Sequence, residues 1–87
     1  MLLIIHCITS NNYIYKDFVM DIDPDNYVEA IAHEIRNRHN IPISNQRLIY
    51  KNTVLKFNNM VKTYGISDHD TIDFAIFFVR NGNMVDL

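Results

Sequence analysis

The sequence predicts an α+β fold in which one helix packs across a mixed sheet of four to five strands. Three observations carry this. Apolar residues alternate with period two from Asp17 to Asp23 and again from Thr71 to Val79, which is the mark of half-buried strands. A single long segment repeats its apolar residues at helical spacing: Val28, Ile31, Ala32 and Ile35 fall at i, i+3, i+4 and i+7 on one face. One helix cannot cover both faces of the sheet those strands would make, so the other face is left toward solvent.

Each element follows in chain order. Residues 2–8 are apolar except at His6 and read as a first strand, ended by the turn-forming run Thr9-Ser10-Asn11-Asn12. The second strand places Phe18, Met20 and Ile22 on one face and Asp17, Asp21 and Asp23 on the other, and Pro24 limits it. The helix has a candidate capping box in Asn26 and Glu29. Asn40 suits a left-handed terminating position, and Pro42 prevents continuation. Arg47–Lys51 is a short strand with Leu48 and Tyr50 pointing one way and Arg47, Ile49 and Lys51 the other. A very short strand lies around Val54–Leu55, and an irregular region is punctuated by Val61, Tyr64 and Ile66. In the final strand Ile72, Phe74 and Ile76 share a face, Asp73, Ala75 and Phe77 share the other, and Phe78 turns inward. This order is that of a β-grasp, with a core of Phe18, Met20, Ile22, Val28, Ile31, Ile35, Leu48, Leu55, Val61, Ile66, Ile72 and Phe74.

Composition bounds the function. With 87 residues the chain makes one small domain, 48% hydrophobic and 21% charged. Its formal net charge is −2 with the signs interspersed, so no basic stripe is available for nucleic acid. The lone Cys7 reads as a core thiol and suits a reducing compartment. The apolar opening is too short for a secretory leader, and no membrane span or membrane association is expected; the expected location is cytoplasmic, nuclear or both. His6, His33, His39 and His69 form no metal-ligand spacing, and no cofactor or metal is expected. Asp21-Ile22-Asp23-Pro24-Asp25 lacks the glycine and closing glutamate of a calcium loop. In a regular strand His6 and Cys7 point to opposite faces and make no dyad, so no catalytic residue is assigned and the chain is not read as an enzyme.

Ile41-Pro42, Gln46-Arg47-Leu48-Ile49-Tyr50, Leu55, Val61, Tyr64-Gly65-Ile66 and the strand from Thr71, with the helix positions Val28, Ile31 and Ile35, together resemble ubiquitin. The resemblance runs at constant spacing from about Asp17 to Asn81, with a longer first hairpin loop. It implies a ubiquitin-like domain over residues 1–80, a short flexible tail over 81–87, and a structural hydrogen bond from the Tyr64 hydroxyl. It also implies what is missing. The positions matching the terminal Gly-Gly of a conjugated modifier carry Arg80 and Asn81, and those matching the two best-known linkage lysines carry Thr53 and Asp68; Lys16 approximates a minor one.

Ubiquitin is recognised through an apolar patch on its exposed sheet face. By that resemblance Ile49 is the patch centre, Ala75 its neighbour and Arg47 a basic rim residue, Asp73 stands where ubiquitin has histidine, and Ile8 or Ile14 supplies the third apolar member. Phe77 falls on the same face where ubiquitin has arginine, and Phe57 is at another usually exposed position. Arg47, Ile49, Asp73, Ala75 and Phe77 are thus the expected partner-binding residues. The expected role is a non-conjugated protein-binding module that engages ubiquitin-system proteins or complex partners. The alternatives are a structural subunit resembling elongin B in a multiprotein ligase complex and, further off, an atypical conjugated modifier. A homodimer through the same face is compatible with the first two.

Overall fold

A computed structural model of the chain describes residues 1–9, 14, 16–80 and 83–86, with the side chains of 78–80 and 83–86 excepted. Its elements are β1 (Leu2–Cys7), β2 (Phe18–Asp21), α1 (Glu29–His39), β3 (Gln46–Tyr50), β4 (Thr53–Val54), β5 (Asp70–Arg80) and β6 (Asn83–Asp86), with 3-10 turns at Ile43–Asn45 and Val61–Tyr64. Five strands form one sheet in the order β2-β1-β5-β3-β4, and β6 pairs with the far end of β5. The central β1–β5 pair is parallel and the others are antiparallel. The helix crosses one side. This is the β-grasp fold that the element order predicts.

Alternation decides which side chains meet the helix. Leu3 and Ile5 of β1, Met20 of β2, Leu48 and Tyr50 of β3, and Ile72, Phe74 and Ile76 of β5 are buried with Val28, Ile31, Ala32 and Ile35. The expected core is buried in full except for Phe18, which is half-buried against it. The core also takes in Ile14 and Ile41. Ile31 and Leu48 have no exposed surface, and truncating either to alanine should cost about 2–5 kcal/mol. No helix among the described residues is long and apolar enough to cross a membrane.

The predicted capping box is not formed. The N-cap is Val28, with no side-chain capping bond. The first amides instead donate to backbone carbonyls: Val28 N–H to Asn59 at 2.8 Å and Glu29 N–H to Phe57 at 3.1 Å. Asn26 lies two residues too early, in a turn where its N–H donates to the Asp23 carbonyl and its own carbonyl accepts from Val61. A packed loop supplies tertiary acceptors where sequence reasoning supplied a local one. The C-terminus is as expected: Asn40 adopts φ 60°, ψ 29°, and its N–H closes on the Arg36 carbonyl at 2.9 Å.

Part of the stretch expected as a loose tail is a strand. Asn83–Asp86 pairs antiparallel with β5, Arg80 opposite Asn83 and Phe77 opposite Asp86. Asn81, Gly82 and Leu87 lie outside the described residues, as does the Phe78 side chain, whose inward turn was expected.

Candidate functional site

The face of the sheet turned away from α1 is built by the alternate residues of each strand that do not meet the helix. Register places Val19, Ile4 and Thr71 in one row, and His6, Asp73, Ile49 and Val54 in the next. Arg47 lies opposite Ala75 one row further along, with Phe77 beyond. The face therefore has two apolar zones. One holds Leu2, Ile4 and Val19, with Val19 54% exposed; the other holds Ile8, Ile49, Val54 and Phe77, with Val54 56% exposed. A polar row of Asp17, His6 and Asp73 separates them.

Ile49 is half-buried at the middle of the second zone, while Leu48 and Tyr50 on either side of it are buried, so the expected orientation of β3 is the one found. Two expected residues are placed differently. Ala75 has only 2% of its surface exposed: its one methyl sits low between the longer residues flanking it, Arg47 across the β3 pairing among them, so it is floor rather than contact surface. The open choice for the third apolar member is also resolved in space, since Ile14 is 7% exposed within the core and Ile8 is 50% exposed, its N–H bonded to the Phe74 carbonyl at 2.9 Å. Cys7 is half-buried on the core side, its thiol donating to the Thr9 carbonyl at 3.4 Å.

Phe77 is half-buried, with the Arg47 guanidinium 5.1 Å from its ring centroid. The cation lies over the ring face, which fixes both side chains at the surface. Asn45 Nδ2 donates to the Phe77 carbonyl at 2.7 Å and holds this end of β5 against the 3-10 turn. Beside these residues a wide-mouthed groove of about 440 Å³ runs along the outer edge of β3, lined by Gln46, Arg47, Leu48, Val54, Leu55, Lys56, Phe57 and Phe77. Val54, Lys56 and Phe57 were not among the predicted site residues. The brevity of β4 brings them there: only Ile49 and Tyr50 pair with it, and the chain then turns back along β3 through the 2.8 Å bond from Leu55 N–H to the Leu48 carbonyl.

Asp73 does not simply make the face acidic. His6 Nδ1 lies 2.7 Å from Asp17 Oδ1, and Asp73 pairs with His6 from β5. The hydrogen bond to Asp17 chiefly raises the His6 pKa above 6.5; desolvation opposes it, and the negative charges of Asp17 and Asp73 add to the rise. The Tyr64 hydroxyl accepts from the Lys56 N–H at 2.8 Å and from Asn59 Nδ2 at 3.0 Å, the structural role expected of it. Among the described residues no three His, Cys, Asp or Glu side chains gather as a metal site would require.

The fold, the Tyr64 bonds and the half-exposed Ile49 agree with a family match: the model of the ubiquitin family, described as "Ubiquitin family", matches residues 8–76, well over half the chain. The chain belongs to the ubiquitin family. No curated protein matches it.

Proposed function

We propose that this ubiquitin-like domain is a non-conjugated protein-binding module, that it works by contact rather than catalysis, and that its ubiquitin-system or complex partners dock on the sheet face around Ile49. The observation that carries the reading is the second apolar zone. Ile8, Ile49, Val54 and Phe77 remain accessible on one flat face, and contiguous exposed apolar area of this kind marks interaction surfaces. Arg47 and Phe77, an arginine stacked on an aromatic ring, are residue types enriched at interface centres. Non-conjugation is supported by Arg80 and Asn81 at the positions of the glycine pair, and by the pairing of Arg80 with Asn83, which would have to open before the backbone could thread an enzyme site.

The test is affinity capture from cell extract with wild type, Ile49→Ala and Phe77→Ala, each first shown folded by circular dichroism. Loss of the same specific partners from both variants is expected; retention of all of them removes the sheet face from the reading. Incubation with ubiquitin-activating enzymes and ATP, followed by mass spectrometry, is expected to give no thioester or isopeptide adduct.

A second reading, a permanent structural subunit resembling elongin B, is favoured by the first apolar zone. Leu2, Ile4 and Val19 add a second apolar zone to the same sheet face, and a broad fixed interface could cover both. A purified complex burying more than about 2,000 Å² would assign the chain to that class.

A further inference from the structure

We propose that the first apolar zone of the sheet face, formed by Leu2, Ile4 and Val19, docks a helical partner segment that carries one apolar anchor between two cations. The proposal rests on the protein-binding reading above and deepens it by naming a second subsite and the chemistry it selects.

Strand geometry frames this zone with carboxylates. Asp17 and Asp21 stand two residues to either side of the exposed Val19, on the same face, with α-carbons about 14 Å apart along the strand. Asp21 faces Leu2 across the β1–β2 pairing, and Asp73 of β5 stands opposite His6. Their partners leave the frame acidic. Asp21 Oδ1 accepts from the Met1 ammonium at 2.9 Å, and Asp17 Oδ1 lies 2.7 Å from His6 Nδ1. Asp73 has no hydrogen bond or ion pair among the described residues. Three carboxylates thus meet one ammonium and one imidazole, so the frame stays net negative even when His6 holds its proton. No lysine or arginine bonds to any of the three. Lys16 makes no ion pair with the adjacent Asp17, and Arg38, which donates to the Val19 carbonyl at 2.6 Å, is already paired with Glu34 at 2.8 Å. Residues 10–13 and 15 carry no charged side chain, and Arg80 lies about 23 Å along β5 from Asp73. An apolar floor inside an acidic frame draws a partner with cations beside its anchor and repels one with carboxylates there.

The backbone decides the form of that partner. β1 is paired on both edges, with β2 and with β5, so its N–H and C=O groups are already taken up in the plane of the sheet. A segment lying on this face must satisfy its own backbone, as an α-helix does. Helix positions i−4, i and i+4 span about 12 Å on one side, close to the separation of Asp17 and Asp21. An apolar side chain at i then rests on Ile4 and Val19 while the cations at i−4 and i+4 reach the carboxylates at each end.

The probe is an alanine-based helical peptide with one central leucine and an arginine four residues to each side. It is titrated into the 15N-labelled full chain while amide shifts are followed. Control peptides replace the leucine by serine or both arginines by glutamate. Shifts concentrated at residues 2–4, 17–21 and 71–73 are expected. Affinity should fall about tenfold or more with either control peptide, with Val19→Ser and with the double variant Asp17→Asn, Asp73→Asn, and it should fall with added salt. Circular dichroism and melting establish that each variant is folded before titration. Equal binding of the glutamate peptide, unchanged binding by the double variant, or no saturable shift with the arginine peptide overturns the proposal. So does concentration-dependent shifting of these resonances without peptide, with sedimentation as a dimer, because a second copy would then be the occupant. Peptide shifts centred on Ile8 and Ile49 instead overturn this subsite and leave the reading around Ile49 standing. Binding at Ile4 and Val19 alongside undiminished capture by Ile49→Ala and Phe77→Ala does the reverse.

Discussion

Gln46 is the one polar side chain buried among the described residues, at 4% exposure, and its amide joins the helix to the sheet. Nε2 donates to the Ala32 carbonyl inside α1 and to the Ile41 carbonyl just after it, both at 3.0 Å. Its Oε1 is buried with no hydrogen-bond partner among the described residues, so the two Nε2 bonds offset the burial of the amide only in part. Gln46→Ala removes both bonds and leaves a void, and should lower the unfolding free energy by about 2–4 kcal/mol in urea denaturation. That is a large share of the roughly 5–15 kcal/mol a small domain holds. Gln46→Leu keeps most of the volume and should cost less than the alanine variant; a leucine variant as stable as wild type would show that the two bonds add nothing net. The parity of this residue was readable, since 46, 48 and 50 share a face, but its partners were not. They lie 14 and 5 residues away, in the helix and just after it, and only the folded chain fixes how the helix approaches.

At the scale of elements, the β3–β4 hairpin turns on two residues that are both left-handed: Lys51 at φ 47° and Asn52 at φ 66°. Tyr50 pairs with Thr53 across them. Such two-residue turns match the twist of paired strands, and they favour glycine, asparagine or aspartate at both positions. Asn52 fits; Lys51 does not, because its β-carbon crowds the backbone there. Lys51→Gly should raise stability by roughly 0.5–1 kcal/mol, the relief of strain exceeding the added freedom of the unfolded chain. The contact it forfeits, Lys51 Nζ 5.2 Å from the Tyr50 ring centroid, is exposed and weak. Urea melts of the two proteins decide it, and a loss of stability would mean the lysine contact outweighs the strain. Asn52 is a residue type that such turns favour, so local chemistry makes this turn legible in the sequence, as it does Asn40 at the helix end. The same reasoning failed where tertiary partners took over, at the helix N-terminus. The dipeptide Asn81-Gly82 is of the kind that favours tight hairpins, and it stands between β5 and β6, which pair.

Across the whole molecule, one end of the sheet is closed by two aspartates that draw three strands together. Asp68 Oδ1 accepts from the Leu2 N–H at the start of β1 at 2.6 Å, and the adjacent His69 N–H donates to the Leu2 carbonyl at 2.7 Å. Asp70 Oδ2, at the start of β5, accepts from the Tyr50 hydroxyl of β3 at 2.5 Å and from the Ser67 N–H at 2.9 Å. The pKa of Asp70 is held below 3.8 first by the Tyr50 hydrogen bond and then by that of Ser67; that of Asp68 is held below 3.8 chiefly by the Leu2 N–H. A folded-state pKa below the unfolded value means that the unfolded chain takes up protons first as pH falls. The stabilisation is then complete above 3.8 and is lost as pH drops through the lower folded values. In the sequence Asp68-His69-Asp70 reads only as a polar loop, because the donors these aspartates meet are 66 and 20 residues distant. Asp70→Asn should therefore melt at a lower temperature than wild type at pH 7, and the gap should narrow steadily below pH 3.8 until the two curves meet. Thermal unfolding followed by circular dichroism from pH 7 to pH 2 measures it. A gap that stayed constant over that range would mean that the Asp70 contacts act through shape alone, and that its charge takes no part in closing the sheet.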